Sequence, residues 1–189
     1  AKITGRSLIP YLRNRDVQWD RINTNELPEI DISENELDRY TVRPNDLLVC
    51  EGGEVGRAAI WREEGRVIAF QKALHRLRPR DVNMDSPDFL LMLLKTAVAN
   101  SVFIDGHQST IAHLTGDKLR AHRFVFPPIE EQLSLVHHVT EETAILDRAI
   151  ATARAEIALL REYRTRLIAD VVTGKRDVRA AAAALPDIA

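Results

Sequence analysis

The arrangement of apolar residues divides this chain into two stretches of different character. From Ile129 to Val172 there is neither glycine nor proline, and Gly174 supplies a stop. With Val136 at position a of a heptad, the a/d series reads Val136, Val139, Thr143, Leu146, Ile150, Ala153, Ile157, Leu160, Arg164, Leu167 and Val171. Nine of these eleven are apolar, and the spacing keeps to 3.5 residues, as a coiled-coil seam does. At 1.5 Å per residue the helix is roughly 55–65 Å long. Burying nine such side chains contributes on the order of 10–20 kcal/mol before ordering costs. The stripe predicts a partner helix. Arg164, the charged entry at an a position, has two readings: a long side chain that snorkels past the interface, or a polar device that accepts one alignment only.

The stretch before it is broken by prolines and glycines into short β-rich runs: Ser7–Arg13, Asp46–Glu51, Arg57–Arg62, Val67–Phe70 and Ala73–Arg78. Gly52-Gly53-Glu54-Val55-Gly56 reads as a tight hairpin turn between two of them. Ser33 and Glu36 form the pattern of a capping box for a short helix through Tyr40, each satisfying a free amide of the other. Ser86-Pro87 places an N-cap and a first-turn proline ahead of Phe89–Leu94, opening a buried helix that ends near Asn100. The fold expected is α+β: a mixed α/β domain over residues 1–128, a long coiled-coil-forming α-helix over 129–174, and a flexible tail over 175–189. No internal repeat is evident.

Composition limits what such a chain is. With 189 residues, 45% hydrophobic and 29% charged, it has the balance of a globular domain rather than a disordered one. No apolar run approaches the roughly 20 residues that span a bilayer, so no membrane role is expected. The opening residues carry no signal-peptide core and no initiator Met, so the expectation is a chain that begins inside a longer gene product. The lone Cys50 makes no internal disulfide, and the cytoplasm is the default location.

A net charge of −2 does not advertise nucleic acid, but its distribution is uneven. Residues 16–38 carry eight acids against Arg21 alone. Residues 57–80 carry seven bases (Arg57, Arg62, Arg66, Lys72, Arg76, Arg78, Arg80) against Glu63 and Glu64. Such a stretch acts locally, because screening limits each charge to about 8–10 Å.

The residues that common enzyme chemistries need are missing. There is no phosphate-cradling G-x-x-x-x-G-K-[ST] loop, and the glycines at 52, 53 and 56 do not match a dinucleotide fingerprint. His75, His107, His113, His122, His137 and His138 form no H-E-x-x-H pair, and one cysteine makes no zinc site. Asp46 and Glu51 flank one apolar run, but glycines stand where a nuclease lysine belongs. Pro127-Pro128 lacks the neighbours of an amino-methyltransferase loop. Neither metal nor cofactor is expected, and the expectation is a non-catalytic protein.

Four segments, in order along almost the whole chain, carry a family resemblance. Asp46-Leu47-Leu48 with the glycine turn through Gly56 looks like a hairpin of type I restriction-modification specificity subunits. Gly106-His107-Gln108-Ser109-Thr110-Ile111 resembles that family's glycine–glutamine–isoleucine segment. Phe126-Pro127-Pro128-Ile129-Glu130-Glu131-Gln132 is similar to its entry into a long helix. The stretch from Leu160-Arg161-Glu162 through Leu167-Ile168 to Val171-Val172-Thr173-Gly174-Lys175 resembles that helix's ending. The resemblance implies target-recognition domains that each read half of a split DNA site, separated by antiparallel long helices. It implies no catalytic centre in this subunit, with methyltransferase and restriction/translocase subunits as partners and double-stranded DNA as ligand. The chain departs from the pattern in having one recognition domain and one helix, and in lacking the segment expected before residues 8–17. A fragment or a half-length subunit fits, its helix partner being a second copy or the other half of the subunit.

Candidate DNA contacts are Arg57, Lys72, Arg76 and Arg78 from the basic stretch, and Gln71, His107, Gln108, Ser109 and Thr110 as polar groups in loops. Arg13, Asn14 and Arg15 interrupt an apolar run and are placed to reach a groove. Gln108 matches a segment shared across specificities, which favours a structural or backbone role. The competing expectation is a coiled-coil interaction module whose head binds protein rather than DNA.

Overall fold

The computed structural model describes residues 8–103 and 113–183. These fall into two compact units, residues 1–137 and 138–189.

The first unit is organised around β5 (Leu47–Cys50), four consecutive apolar residues that are all buried. It pairs antiparallel with β6 (Ala58–Ile60) on one side and with β8 (Leu74–Leu77) on the other. Alternation along a strand sends successive side chains to opposite faces, so β5 feeds two cores. Leu48 and Cys50 join Leu12, Val17, Val42, Ala59, Trp61, Ile68 and Leu74. Leu47 and Val49 join Ala58, Phe103, Leu114 and the inner face of α2 (Pro87–Ala99). The glycine turn between β5 and β6 is a hairpin connection, as its sequence predicts. Gly56 has φ +82°, and a Cβ there would stand 2.6 Å from Val98 Cγ2. Both the left-handed backbone and the close approach of α2 therefore require glycine.

A second sheet, ordered β4-β1-β7, is built from β1 (Leu8–Leu12), antiparallel to β4 (Glu29–Asp31) and parallel to β7 (Ala69–Phe70). A two-residue ribbon, β2 (Val17–Gln18) with β3 (Arg21–Ile22), follows β1. These short strands lie in the acidic segment, where two or three residues leave no readable period. The capping box at Ser33 takes a different form from the one expected. Ser33 has no side-chain bond to a helix amide. Its hydroxyl instead donates to Glu36 Oε2 at 2.6 Å, and the segment winds as a 3₁₀ turn, Glu34–Glu36, before the four-residue α1 (Leu37–Tyr40). The tighter turn brings the two side chains together instead of to the backbone. Ser86 caps α2 as expected, accepting from Phe89 N at 3.3 Å. Thr115 does the same for α3 (Gly116–Ala121).

The long helix α4 (Ile129–Val172) runs 44 residues without interruption. Its first turns belong to the first unit, and Gln132 explains why. That side chain is 1% exposed. Its amide donates to Met84 O at 2.9 Å and to Pro127 O at 2.7 Å, and its oxygen accepts from Ser86 N at 2.9 Å. The glutamine after the double proline thus ties the helix root to the start of α2.

In the second unit the helix closes through Gly174 (φ +73°), and a short α5 (Arg179–Ala183) lies where the sequence predicts a flexible tail. Along the a/d stripe Leu146 is 62% exposed and Leu160 59%; Val139, Ile150 and Ile157 are exposed as well. Ala153 and Arg164 are exposed, whereas Val136, Thr143, Leu167 and Val171 are half-buried.

Replacing Gln132 by leucine keeps the side-chain bulk but leaves the buried Ser86 amide and two carbonyls unsatisfied, each worth about 1–3 kcal/mol. Gln132→Leu is therefore expected to lower the unfolding free energy by about 2–4 kcal/mol, read as the shift in a urea midpoint. An unchanged midpoint would mean that Gln132 does not anchor the helix root.

Candidate nucleic-acid interface

Because β8 lies at the edge of its sheet, its side chains meet surface elements that β5 cannot reach. A cleft of about 460 Å³ runs beside it, lined by β8 itself, by Arg39 and Tyr40 of α1, by Phe70 and Lys72, and by Gly116, Leu119 and Arg120 of α3. Its charged lining is Arg39, Lys72, Arg76 and Arg120, with no carboxylate among the lining residues. A concave surface bearing one sign of charge focuses potential and attracts the opposite charge.

The four cations are held differently. Arg76 is fixed, donating to Thr41 O at 2.7 Å and Asp38 O at 3.0 Å and lying 5.5 Å from the centre of the Phe70 ring. Burial, and then the neighbouring Arg78, pull its pKa down. A further negative group in the cleft would relieve that cost. Lys72 is exposed and makes no hydrogen bond or ion pair among the described residues. Arg120 is largely exposed and bonds to Asp117 at 2.6 Å, also at the surface. Arg39 lies over the Tyr40 ring. His75 also lines the cleft, and its Nε2 stands 2.6 Å from Leu114 O.

Other residues expected from the sequence to meet DNA are spent inside the unit. Arg57, with a side chain 13% exposed, donates to Val17 O at 2.8 Å and to Asn14 O at 3.1 Å. Asn14 in turn donates to Gly52 O and Ala73 O. Arg13 grips Asp16 through two side-chain bonds of 2.7 and 2.9 Å. Burial opposes the charge on Asp16, but the Arg13 side chain and backbone N–H outweigh it and hold that carboxyl below its ordinary value. Arg78 makes a paired contact, 2.7 Å to each oxygen, with Asp46, which is wholly buried. These residues are therefore framework for the hairpin and the sheet. Arg15 is exposed and only weakly engaged, 3.9 Å from Asp16. Gln71 is half-buried at the side of a neighbouring, more apolar groove with Tyr11, Ile30 and Phe70. His107, Gln108, Ser109 and Thr110 lie outside the described residues. Arg39 and Arg120 were not legible as site residues, because each sits on a short helix far along the chain from the basic stretch.

Among the described residues no group of His, Cys, Asp and Glu is arranged to hold a metal ion, and no helix is long and apolar enough to cross a membrane.

No protein-family model matches the sequence, and no curated protein matches it. Solved structures do. A chain from a structure concerned with complex assembly and conformational transition of the type I R-M system superposes with a TM-score of 0.57 at 22% identity. The match covers 84% of this chain and 37% of that one. The HsdS subunit from Thermoanaerobacter tengcongensis superposes with a TM-score of 0.55 at 15% identity, over 82% of this chain and 41% of that one. This chain has the HsdS fold. It spans less than half the length of either neighbour. The α+β architecture with one long helix after the double proline is thus the arrangement that the four sequence segments imply, and the HsdS-like head is the unit that carries the basic cleft.

The division of labour between framework and free cations has a measurable consequence. Asp46→Ala leaves the half-buried Arg78 only the exposed Asp38 carboxylate, 4.0 Å away, and is expected to cost about 3 kcal/mol of stability, the lower end for removing one partner of a buried pair. Lys72→Ala is expected to change stability by no more than about 0.5 kcal/mol, as an exposed substitution does. Urea denaturation of both variants checks this; equal destabilisation would place Lys72 in the framework.

Proposed function

We propose that this HsdS-like chain is a DNA-recognition module of a type I restriction-modification specificity subunit, a cytoplasmic protein with no chemistry of its own. The observation that carries the reading is the cleft beside β8, in which four cations converge without a carboxylate on a unit having the HsdS fold. Phosphates position a protein on the duplex and base edges supply the sequence. In this reading Lys72 and Arg120, with Arg39, are the phosphate contacts, and Arg76 is a pre-oriented cation whose guanidinium stays fixed between two carbonyls. Arg15 and Gln71 are the remaining candidates from the sequence for contacts on either side. The double-stranded site is one half of a split target. The exposed stripe of α4 pairs with a second such helix, from another copy or from the other half of a longer subunit. Methyltransferase and restriction/translocase subunits are the partners that bring methylation, translocation and cleavage.

The experiment is binding to random-sequence duplex as a function of salt, with and without the cognate methyltransferase subunits. Removing a cation that neutralises one phosphate reduces the slope of log K against log salt by about 0.9. Lys72→Ala/Arg120→Ala is therefore expected to lower affinity at low salt and to reduce the slope by roughly 2. An unchanged slope removes the cleft from the footprint. Failure of the wild-type chain to bind duplex in either setting removes the DNA reading and leaves the head as a protein-binding module.

A further inference from the structure

Gln71 carries a carboxamide that the fold positions but does not use. The residue is half-buried, and its head group is open to water. Every other buried or half-buried carboxamide among the described residues has a side-chain hydrogen bond. Asn14 donates to Gly52 O, Gln18 donates to Arg15 O, Asn45 accepts from Arg62, and Gln132 seats the helix root. The Gln71 side chain makes none among the described residues. Its backbone, by contrast, is pinned at both ends. The N–H donates to Leu12 O and the carbonyl accepts from Leu74 N, each at 3.0 Å. A polar head group with open hydrogen-bonding capacity on a fixed backbone is what precise recognition of an uncharged edge requires.

We infer that Gln71 reads an adenine, within an A·T pair of the duplex whose phosphates lie in the cleft beside β8. This rests on the DNA-recognition reading and adds a residue that sets sequence and the base it takes.

The place comes from two adjoining surfaces. Gln71 lines a groove of about 410 Å³ that shares Tyr40, Phe70 and Lys72 with the basic cleft. The two differ in charge. The cleft has cations alone in its charged lining, whereas the groove sets Asp31 and Glu36 against Lys72. Two carboxylates disfavour a phosphate there, because like charges brought together are costly, but they do not repel a base edge. The backbone is thus directed to the cleft and the base edges to the groove, with Lys72 common to both.

The base follows from the carboxamide. It presents an acceptor and a donor side by side. Adenine offers the complement in the major groove, an N7 acceptor next to an N6 donor. Guanine offers two acceptors, so the amide oxygen meets a like partner. Cytosine offers one donor and thymine one acceptor, which leaves half of the amide unmatched. Ile30, 41% exposed and lining the same groove, supplies the apolar contact that suits the C5 methyl of the paired thymine.

Selection from a randomised duplex pool, with the methyltransferase subunits present, reads this directly. The wild-type chain is expected to enrich A·T at one or more positions. Gln71→Ala keeps both backbone hydrogen bonds and is expected to lose the adenine preference at a single position, by about tenfold, with the other positions retained. It removes no charge, so the salt slope keeps its value. Gln71→Glu accepts from cytosine N4 but no longer donates, and is expected to move that position from adenine to cytosine. Lys72→Ala is expected to weaken binding across all sequences and to leave the enriched sequence as it was. The same enriched sequence from wild type and Gln71→Ala would overturn the inference. So would a preference lost at a G·C position, or a wild-type chain that binds duplex with the expected salt dependence yet enriches no sequence. Each of those results leaves the phosphate cleft standing. Failure of the wild type to bind any duplex is a different result, which removes the recognition reading and this inference with it.

Discussion

One carboxylate without access to water sets the order of the first unit. Asp46 stands at the entrance of β5, accepts two bonds from Arg78 just past the end of β8, and takes a third from the backbone N–H of Arg43. Its backbone adds a link to Trp61, just beyond β6. Three segments are thus indexed on one residue. A one-residue slip of β5 would exchange Leu48 and Cys50 with Leu47 and Val49, turning both cores inside out. A buried charge that accepts three hydrogen bonds resists such a slip, because the slipped strand would leave it without them.

Fixing β8 also shapes the cleft. Arg76 sits two residues before Arg78, on the face that stacks against Phe70, and its guanidinium is held by two carbonyls around α1. Lys72 and Arg120 approach the same space from other elements. Of the bases concentrated in residues 57–80, then, Arg57 and Arg78 are structural, and the cleft draws on Lys72 and Arg76 together with cations from outside the stretch. The charge run marks where bases are concentrated, but it does not separate a guanidinium that closes a turn from one that faces solvent. That distinction depends on which carbonyls and carboxylates the fold brings within about 3 Å.

The two units follow different logics. In the first, polar side chains do precise internal work: Asn14 and Arg57 close the glycine turn, Arg13 and Asp16 lock the corner after β1, and Gln132 seats the helix root. The second is governed by a repeating apolar edge with charges on its flanks, much of it exposed among the described residues. Sequence periodicity carries most of its information there, because the contacts of a helix stripe are set by spacing alone.

Elements whose signal is local are legible in the residues alone. These include the 44-residue helix free of glycine and proline, the Ser86-Pro87 start of α2, the glycine turn after β5, and the continuous apolar run that makes β5 a doubly buried strand. The folded arrangement settled the others. It made the capping pattern at Ser33 a 3₁₀ turn, spent Arg13, Asn14, Arg57 and Arg78 on the framework, and brought Arg39 and Arg120 to a cleft they do not share in sequence. The reason is range. Caps, turns and heptads act over a few residues and are written where they operate, whereas the fate of a charge depends on partners far along the chain, 43 residues away for Arg57 and Asn14 and 75 for Lys95 and Asp20.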